Sequence, residues 1–330
     1  MTLTMIPSRR RPRTADGAAA HEQSRLIMTD RIAPIFIVGA GRSGSTAFHH
    51  AFTRHPDVSW VSKILDVLPR AEKLNAAVLR GLDQPGVGSL LMKGLIEPGH
   101  LKPSEAYAYW ERIAPGFSEP FRDLVATDLT ERTKQNMQEA VERLTIDERP
   151  VPLIKITGWP RIGYLQEAFP DARFVHIVRD GRAVVNSILQ VDFWDGWRGT
   201  KGWRGLDMTP EQQDRWDASG KSFVTLAAME LSDMLDAMVV AEPLVPPNQF
   251  LELRYEDLCA DPTESFRMVT AFCEMNHPDS FDRAVVDFGF RTTNDKWQRD
   301  LTTLQQQQLE AELGPHLDRW GYPRVFGTSS

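Results

Sequence analysis

The chain has 330 residues, of which 42% are hydrophobic and 25% charged; this balance is typical of globular proteins and excludes a wholly disordered, collagen-like or coiled-coil chain. Its 45 acidic residues outnumber its 38 basic ones, and the formal net charge of −7 excludes an overall basic field for binding nucleic acid. Because Cys259 and Cys273 are the only cysteines, a disulfide framework and a zinc site built mainly of thiolates are also excluded.

The N-terminal segment 1–32 predicts a disordered, mildly basic tail. Four arginines lie between Arg9 and Arg13, but the residues after them lack the apolar stretch of roughly 7–15 residues that an export signal needs. The most apolar long stretch, 226–245, contains four acidic residues, whereas a membrane-spanning helix needs about 20 mostly apolar residues. We therefore expect no integral membrane segment and a cytoplasmic location.

Short apolar runs punctuate the rest of the chain. The first, Pro34–Gly39, predicts a strand buried on both faces of a parallel sheet. Four further runs predict strands at 58–61, 151–156, 173–178 and 249–254. Between and after the strands, helices are predicted at 44–54, 103–113, 131–144, 160–169, from 181 onward, 263–274 and 302–313.

This order of elements predicts the fold class. Strands that alternate with helices favour an α/β fold, here a P-loop-like, doubly wound parallel sheet of about five strands flanked by helices. We expect one domain at 33–325, helical insertions at about 62–150 and 192–246, and a short tail at 326–330. In such sheets, ligands bind at the carboxyl ends of the strands.

The segment Gly39–Thr46 follows the first strand and opens a helix, which predicts a phosphate loop. Helix N-termini present free N–H groups and a partial positive charge, and small residues let the backbone wrap around a phosphate. The nucleotide-hydrolase loop G-x-x-x-x-G-K-[ST] needs a lysine where this chain has Ser45. ATP or GTP hydrolysis is therefore disfavoured.

A dinucleotide site is an alternative use of the same loop. Gly39, Gly41 and Gly44 satisfy the fingerprint G-x-G-x-x-G. That fingerprint also requires an acidic residue at the end of the next strand. The chain has Lys63 near this position, which would suit a 2′-phosphate, so an NAD(P)-binding oxidoreductase stays open as an alternative.

A second candidate anion site follows the strand at 173–178. Arg179 lies one residue beyond that strand, and Ser187 lies about two helical turns later. The turn at Asp180 and Gly181 would allow the two side chains to converge on one phosphate. The alternative is an ordinary surface pair of Arg179 with Asp180.

Together the two motifs resemble those of sulfotransferases that use 3′-phosphoadenosine 5′-phosphosulfate (PAPS), particularly the bacterial branch. Arg42-Ser43-Gly44-Ser45-Thr46 is similar to the family's 5′-phosphosulfate loop, and Phe174–Ser187 to its 3′-phosphate segment. The block Arg254-Tyr-Glu-Asp-Leu258 and the C-terminal Lys296-Trp297 are similar as well. The resemblance covers roughly residues 34–322.

The resemblance implies a set of donor-binding residues. On the 5′ side they are Gly41, Arg42, Ser43, Gly44, Ser45 and Thr46. On the 3′ side they are Arg179, Ser187 and Lys296, with Tyr255 near the adenine. Many relatives stack the adenine on a Trp directly after the loop, where this chain has Ala47. Trp297 is an alternative platform.

The resemblance also implies the catalytic groups. Arg42 and Lys155 would stabilise the leaving phosphate, although a lysine at a strand end can instead extend into solvent. Many bacterial relatives place a Glu base near the position of Lys63, and a cationic lysine is a poor base. Asp66, one turn on, is the predicted base. The alternatives are His49, His50 and His100.

The implied activity is transfer of a sulfuryl group from PAPS, by in-line displacement, to a hydroxyl or amine of a small-molecule, glycan or lipid acceptor. We expect PAP as the product, no metal requirement and no nucleic-acid partner. A non-catalytic PAP-binding protein stays open, because the expected Glu is missing. The tryptophans of segment 192–221 predict either an acceptor lid or the packing of a helical subdomain.

Overall fold

The computed structural model describes residues 33–82, 84, 86, 99, 101–118, 122–203, 205 and 207–326. Its centre is a five-stranded sheet in which every described strand pair is parallel. The strands are β1 Ile35–Gly39, β2 Val58–Trp60, β3 Val151–Thr157, β4 Arg173–Val178 and β5 Phe250–Arg254. The predicted α/β parallel sheet is confirmed, and each predicted strand end lies within one residue of its observed position.

Helices cover both faces of the sheet. Those before β4 are α1 Ser45–Phe52, α2 Ile64–Val67, α3 Glu72–Leu82, α4 Tyr107–Ile113, α5 Glu131–Leu144 and α6 Ile162–Ala168. Those after it are α7 Gly181–Ile188, α8 Pro210–Ala218, α9 Phe223–Ala241, α10 Tyr255–Ala260, α11 Pro262–Phe272, α12 Asp279–Phe288, α13 Lys296–Asp300 and α14 Thr303–Arg319.

The continuous apolar character of β1 follows from burial on both faces. Phe36 and Val38 pack into the core that holds α4, α5 and α6, whereas Ile35 and Ile37 pack into the core that holds α1, α11 and α12. Alternate strand residues point to opposite faces, so a strand covered on both sides needs apolar residues throughout.

The strand order β2-β3-β1-β4-β5 places β1 at the centre. Its neighbours β3 and β4 lie on opposite sides, and Gly39 pairs with Thr157 at the carboxyl edge. This is the switch point of a doubly wound sheet, where a crevice opens for a ligand. The loops after β1, β3 and β4 therefore meet at one place.

The same order disfavours the dinucleotide alternative. In the dinucleotide-binding fold the second strand lies beside the first, so that its final residue reaches the ribose. Here β3 lies between β1 and β2. Lys63, just after β2, is thereby two strands away from the glycine loop.

The sequence predicted the ends of some helices correctly and those of others wrongly. The prediction for α5 is confirmed, and the side chain of Thr130 caps it by accepting a hydrogen bond from Thr133 N. The helix predicted from residue 103 begins only at Tyr107, since Pro103 forms a bridge with Ser62 and Ala106 has a φ of 51°. The helix predicted at 302–313 continues to Arg319.

Some predictions concern residues outside this description. The tail at 1–32, His100 and residues 327–330 of the C-terminal tail lie outside the described residues. Within the described ranges, no helix combines the length and the apolar character that crossing a lipid bilayer requires.

Candidate functional site

The loop after β1 has a backbone that only particular residues tolerate. Gly44 has a φ of 93°, and a Cβ built on it would lie 2.2 Å from the ring of Tyr255. A Cβ on Gly39 would lie 2.7 Å from the carbonyl oxygen of Ile177. Arg42 itself has a φ of 69°, in the left-handed region that costs an L-residue about 1–2 kcal/mol. The turn is therefore tight and held against β4 and α10.

This turn presents unused hydrogen-bond donors. Gly44 is the N-cap residue of α1, and no side chain caps that helix end. The hydroxyl of Ser43 is buried and has no hydrogen-bond partner within the described ranges. Buried polar groups are nearly always paired, and an uncapped helix N-terminus favours an anion. The loop thus fits a phosphate or phosphosulfate group.

The two candidate anion motifs meet directly. Arg42 Nε donates a hydrogen bond to Ser187 Oγ at 3.0 Å. Arg179 Nη1 donates to the backbone carbonyl of Arg42 at 3.1 Å. The two bonds bring Arg179 and Ser187 to the same loop residue, and their convergence on one phosphate stays a prediction.

Arg179 is held by neutral groups. Its Nε donates to Asn294 Oδ1 at 2.8 Å and its Nη2 to Thr293 Oγ1 at 3.1 Å. Asp180 does not pair with it, because the Asp180 carboxylate binds the Arg182 guanidinium at 2.8 Å. The alternative of an Arg179–Asp180 surface pair is wrong.

The guanidinium groups of Arg42 and Arg179 form no ion pair with the other residues that the structure describes. Neither has a carboxylate within ion-pair distance in the part of the chain that the structure describes. Burial lowers the pKa of Arg179 below its ordinary value, while nearby Tyr255 and Glu256 act in the opposite direction. Two arginines without acidic partners beside an uncapped helix attract an anion.

Tyr255 closes one side of this site. Its ring packs against Gly44, and the guanidinium carbon of Arg179 lies 4.8 Å from the ring centroid. Its hydroxyl donates to the carbonyl of Arg291 at 3.0 Å. Burial raises the pKa of Tyr255 to about 12, so its hydroxyl stays protonated. The ring therefore lies between the phosphate loop and Arg179, and its place near the adenine stays a prediction.

Lys296 and Trp297 follow in that segment. Lys296 is exposed and lies two residues after Asn294, so its contact with a 3′-phosphate stays a prediction. Trp297 is 2% exposed, and the guanidinium carbon of Arg182 lies 4.5 Å from its ring centroid. A ring covered in this way does not offer a face for adenine.

Lys155 contacts the last residue of the phosphate loop. Its Nζ donates to Thr46 Oγ1 at 2.7 Å and forms an ion pair with Glu105 Oε1 at 2.6 Å. The side chain is only 6% exposed. The alternative that Lys155 extends into solvent is therefore wrong, and its ammonium group lies at the mouth of the loop.

The predicted bases have other partners. Asp66 Oδ2 accepts a hydrogen bond from Ser104 Oγ at 2.5 Å. His49 is 1% exposed, and burial lowers its pKa well below the ordinary value. His50 Nε2 lies 3.3 Å from the carbonyl oxygen of Pro103, and burial lowers its pKa too. The base role of Asp66 stays a prediction.

Sequence reasoning missed three polar residues of the site. Glu105 contacts Lys155, whereas Asn294 contacts Arg179 and donates to the carboxylate of Glu256. None of them belongs to a loop motif, and each reaches the site from a distant part of the chain. The family block Arg254–Leu258 contains Glu256, and it was the only sequence feature that could have pointed to one of these three residues.

The tryptophans of segment 192–221 divide into two groups. Trp194, Trp203 and Trp216 are buried, which supports the packing alternative for them. Trp197 is 58% exposed and lines a cavity of about 590 Å³. The other lining residues are Leu189, Gln190, Val191, Asp192, Trp194, Phe223, Val224, Leu301 and Gln305.

No group of three or more His, Cys, Asp or Glu side chains suited to hold a metal ion occurs among the residues described. The expectation that catalysis needs no metal stays a prediction.

Comparison with known proteins decides the family. A model of the sulfotransferase family matches residues 34–279, more than half of the chain. The chain belongs to the sulfotransferase family. It is a transferase of sulfuryl groups, as the two loop motifs predicted.

Two curated relatives and one solved structure agree with this assignment. The chain is 26% identical over 322 residues to omega-hydroxy-beta-dihydromenaquinone-9 sulfotransferase Stf3 of Mycobacterium bovis and of Mycobacterium tuberculosis. The match covers 88% of this chain and 76% of each relative. Sulfotransferase STF9 from Mycobacterium avium has the same fold, with a TM-score of 0.56 and 16% identity over 92% of this chain and 80% of that chain.

Proposed function

We propose that this sulfotransferase uses PAPS as its donor and transfers the sulfuryl group to a hydroxyl of a small-molecule or lipid acceptor. One observation carries the donor assignment. Arg42, Arg179 and Ser187 converge over an uncapped helix N-terminus, and neither arginine has an acidic partner among the residues described. Such a site suits a ligand with two separate anionic groups, as PAPS has.

The loop residues would hold the 5′ side of the donor. Backbone N–H groups at the start of α1, together with the hydroxyls of Ser43, Ser45 and Thr46, provide the donors. Gly41 has open space where a Cβ would lie, which leaves room for a phosphate oxygen. Arg42 adds a forked cation beside them.

The 3′-phosphate would bind between Arg179 and Ser187. Asn294 and Thr293 hold the guanidinium of Arg179 in one orientation, which supports this role. An oriented arginine loses less side-chain entropy when a phosphate binds. Lys296 would add a third contact, and Tyr255 would lie near the adenine.

Arg42 and Lys155 would stabilise the charge that develops on the leaving phosphate. Arg42 belongs to the loop and Lys155 contacts its last residue, Thr46, which supports a role for both at the oxygen that bridges phosphorus and sulfur. Preorganised cations of this kind are usually the largest contribution to catalysis of group transfer. The donor supplies an already activated sulfuryl group, so we propose that no metal is needed.

The acceptor is proposed from chemistry and from the relatives. The two curated relatives are named for an omega-hydroxy dihydromenaquinone, which is a lipid alcohol. An apolar alcohol is therefore the first class to test, although amines and glycans stay in the predicted range. The cavity beside Trp197 includes Leu189, two residues after Ser187, and its lining combines apolar side chains with polar ones that could contact such a molecule. A cytoplasmic location stays a prediction.

The test uses PAPS labelled with ³⁵S and three probe acceptors: farnesol, 4-nitrophenol and chitobiose. We expect label on farnesol, with the full rate in excess chelator. Thermal unfolding with PAP, with ATP plus Mg²⁺ and with NADPH runs in parallel, since a ligand at 100 times its Kd adds about 2.7 kcal/mol of apparent stability. Stabilisation by NADPH and none by PAP would contradict the proposal.

A further inference from the structure

We infer that Glu105 is the general base, the group that takes the proton from the acceptor hydroxyl. The inference rests on the proposed function and deepens it, because the donor assignment leaves the proton acceptor open. Glu105 belongs to none of the motifs that identify the donor site. Its contacts at the carboxyl end of β3 carry the argument.

The carboxylate of Glu105 lies beside the phosphate loop. Its Oε1 accepts from Lys155 Nζ at 2.6 Å and from Thr157 Oγ1 at 2.8 Å. The same Lys155 ammonium group donates to Thr46 Oγ1 at 2.7 Å. Lys155 thus contacts both the Glu105 carboxylate and Thr46 of the phosphate loop. An acceptor in line with the donor would therefore lie within reach of Glu105.

The backbone holds this carboxylate in place. Lys63 N donates to the carbonyl of Lys102 at 2.8 Å, and Ser104 N donates to the carbonyl of Val61 at 2.8 Å. These bonds tie the segment before Glu105 to the end of β2. The next residue, Ala106, is 1% exposed and has a φ of 51°. A buried residue in the left-handed region is a strained feature, of the kind that clusters at functional sites.

Two neighbouring elements place side chains against the Glu105 carboxylate. Lys155 faces it from β3, and Tyr107 faces it from α4. Burial and the Glu105 charge raise the pKa of Tyr107, whose hydroxyl stays protonated and donates to the carbonyl of Thr157 at 2.5 Å. The side chain of Glu105 is 20% exposed, so an acceptor can reach it although these contacts fix its position.

The other candidates meet these conditions less well. Asp66 is bound by Ser104 Oγ, and the structure gives it no contact with Lys155 or Thr46. His49 is 1% exposed, which leaves no access for an acceptor. Glu105 is the carboxylate that contacts Lys155 among the residues described.

The reaction balances with Glu105 in this role. A bond forms between the acceptor oxygen and sulfur, while the bond between sulfur and the bridging oxygen of the donor breaks. The leaving phosphate keeps that electron pair, next to Arg42 and Lys155. The acceptor proton passes to Oε2 of Glu105, and water takes it after the product leaves.

The test compares Glu105→Gln, Glu105→Asp and Asp66→Asn with a matched control, Glu139→Gln. Glu139 is an exposed glutamate on helix α5. Like Glu105, it pairs with a cation, here Arg143. For each variant we would measure transfer of ³⁵S to farnesol, release of ³⁵S-sulfate with water as the acceptor, the PAP Kd by calorimetry, and Tm.

For Glu105→Gln, kcat should fall about 10²–10⁴-fold, the usual contribution of a general base. The PAP Kd and Tm should stay near the wild-type values, and the acid limb of the kcat–pH profile should disappear. Glu105→Asp should recover part of the rate, because it keeps a carboxylate. Glu139→Gln should behave as wild type.

Three results with the variants overturn the inference, and a fourth concerns the wild-type protein. The first is a wild-type kcat in Glu105→Gln. The second is a loss of PAP affinity and Tm that matches the loss of rate, which indicates a structural role. The third is loss of the acid limb in Asp66→Asn and its retention in Glu105→Gln. A wild-type protein that binds PAP but transfers label to neither farnesol nor water also contradicts it. Failure to bind PAP contradicts the proposed function itself.

Discussion

Arg42 Nε donates a hydrogen bond to Ser187 Oγ at 3.0 Å, across 145 residues of sequence. The contact joins the loop after β1 to the helix after β4. The two strands are neighbours in the sheet, so their carboxyl ends place both side chains at one edge. This contact joins the two anion motifs into one site, which would hold both anionic groups of the proposed donor.

Replacing Lys155 by Ala tests its role at the mouth of the loop. We expect kcat to fall by about 10²-fold or more, because a preorganised cation beside the developing charge is lost. Affinity for PAP should fall much less. Lys134→Ala is the matched control, since Lys134 also pairs with a glutamate, Glu167, at 2.7 Å but lies outside the site. Steady-state kinetics decides, and equal effects in the two variants would refute the assignment.

Gly44→Ala tests the fit between the loop and Tyr255. Gly116→Ala is the control, because Gly116 has a similar φ of 85° but open space where a Cβ would lie. Both changes should lower the free energy of unfolding by about 1–2 kcal/mol through the left-handed backbone. The free energy of unfolding should fall further for Gly44→Ala, and only this variant should bind PAP more weakly. Urea unfolding and calorimetry measure both quantities, and identical losses would contradict the described contact.

Glu256 is predicted to position Arg179 indirectly. Its carboxylate accepts from Asn294 and from the hydroxyl of Tyr322, and Asn294 in turn accepts from Arg179. Glu256→Gln should therefore weaken PAP binding, but less than removal of Arg179 itself. Glu242→Gln is the control, because Glu242 pairs with Arg319 on the surface, away from the site. Unchanged PAP affinity in Glu256→Gln would rule out this positioning role.

Acid should destabilise the fold through His49. Burial lowers the pKa of this side chain well below 6.5, and the charges of Lys155 and His50 lower it further. The folded state keeps the ring neutral, whereas the unfolded chain takes up a proton as the pH falls below about 6.5. The free energy of unfolding should therefore fall with pH below this point.

For one histidine, the free energy of unfolding should fall by at most about 1.4 kcal/mol for each pH unit. His49→Asn should reduce the slope without abolishing it, since burial also lowers the pKa of His50 and of His55. Urea midpoints measured between pH 5 and 8 provide the comparison. An unchanged slope in His49→Asn would show that His49 is not the group responsible.

The strands and the two loop motifs were predictable because their signals are local. A run such as Pro34–Gly39 is apolar at every position only if both faces are buried. A Cβ at Gly39 or Gly44 would collide with neighbouring atoms, so glycines at this spacing predict a tight turn. The meeting of Arg42 with Ser187 then follows from the geometry of parallel strands.

Glu105 was not predictable for the opposite reason. It reaches Thr157 across 52 residues, and its position depends on the bridge between Ser62 and Pro103. No periodic pattern marks this segment, and the helix predicted from Pro103 concealed the turn at Ala106. Contacts that depend on distant backbone pairing leave no trace in local sequence.

Calorimetry with PAP and with adenosine 5′-monophosphate, which lacks the 3′-phosphate, tests the central claim most directly. The wild-type protein should bind PAP more tightly by about 1.5–3 kcal/mol, the contribution of hydrogen bonds to a charged group, or roughly 10–100-fold. In Arg179→Ala that preference should disappear, while in the surface variant Arg80→Ala it should remain. An equal preference for PAP in wild type and Arg179→Ala would contradict the account.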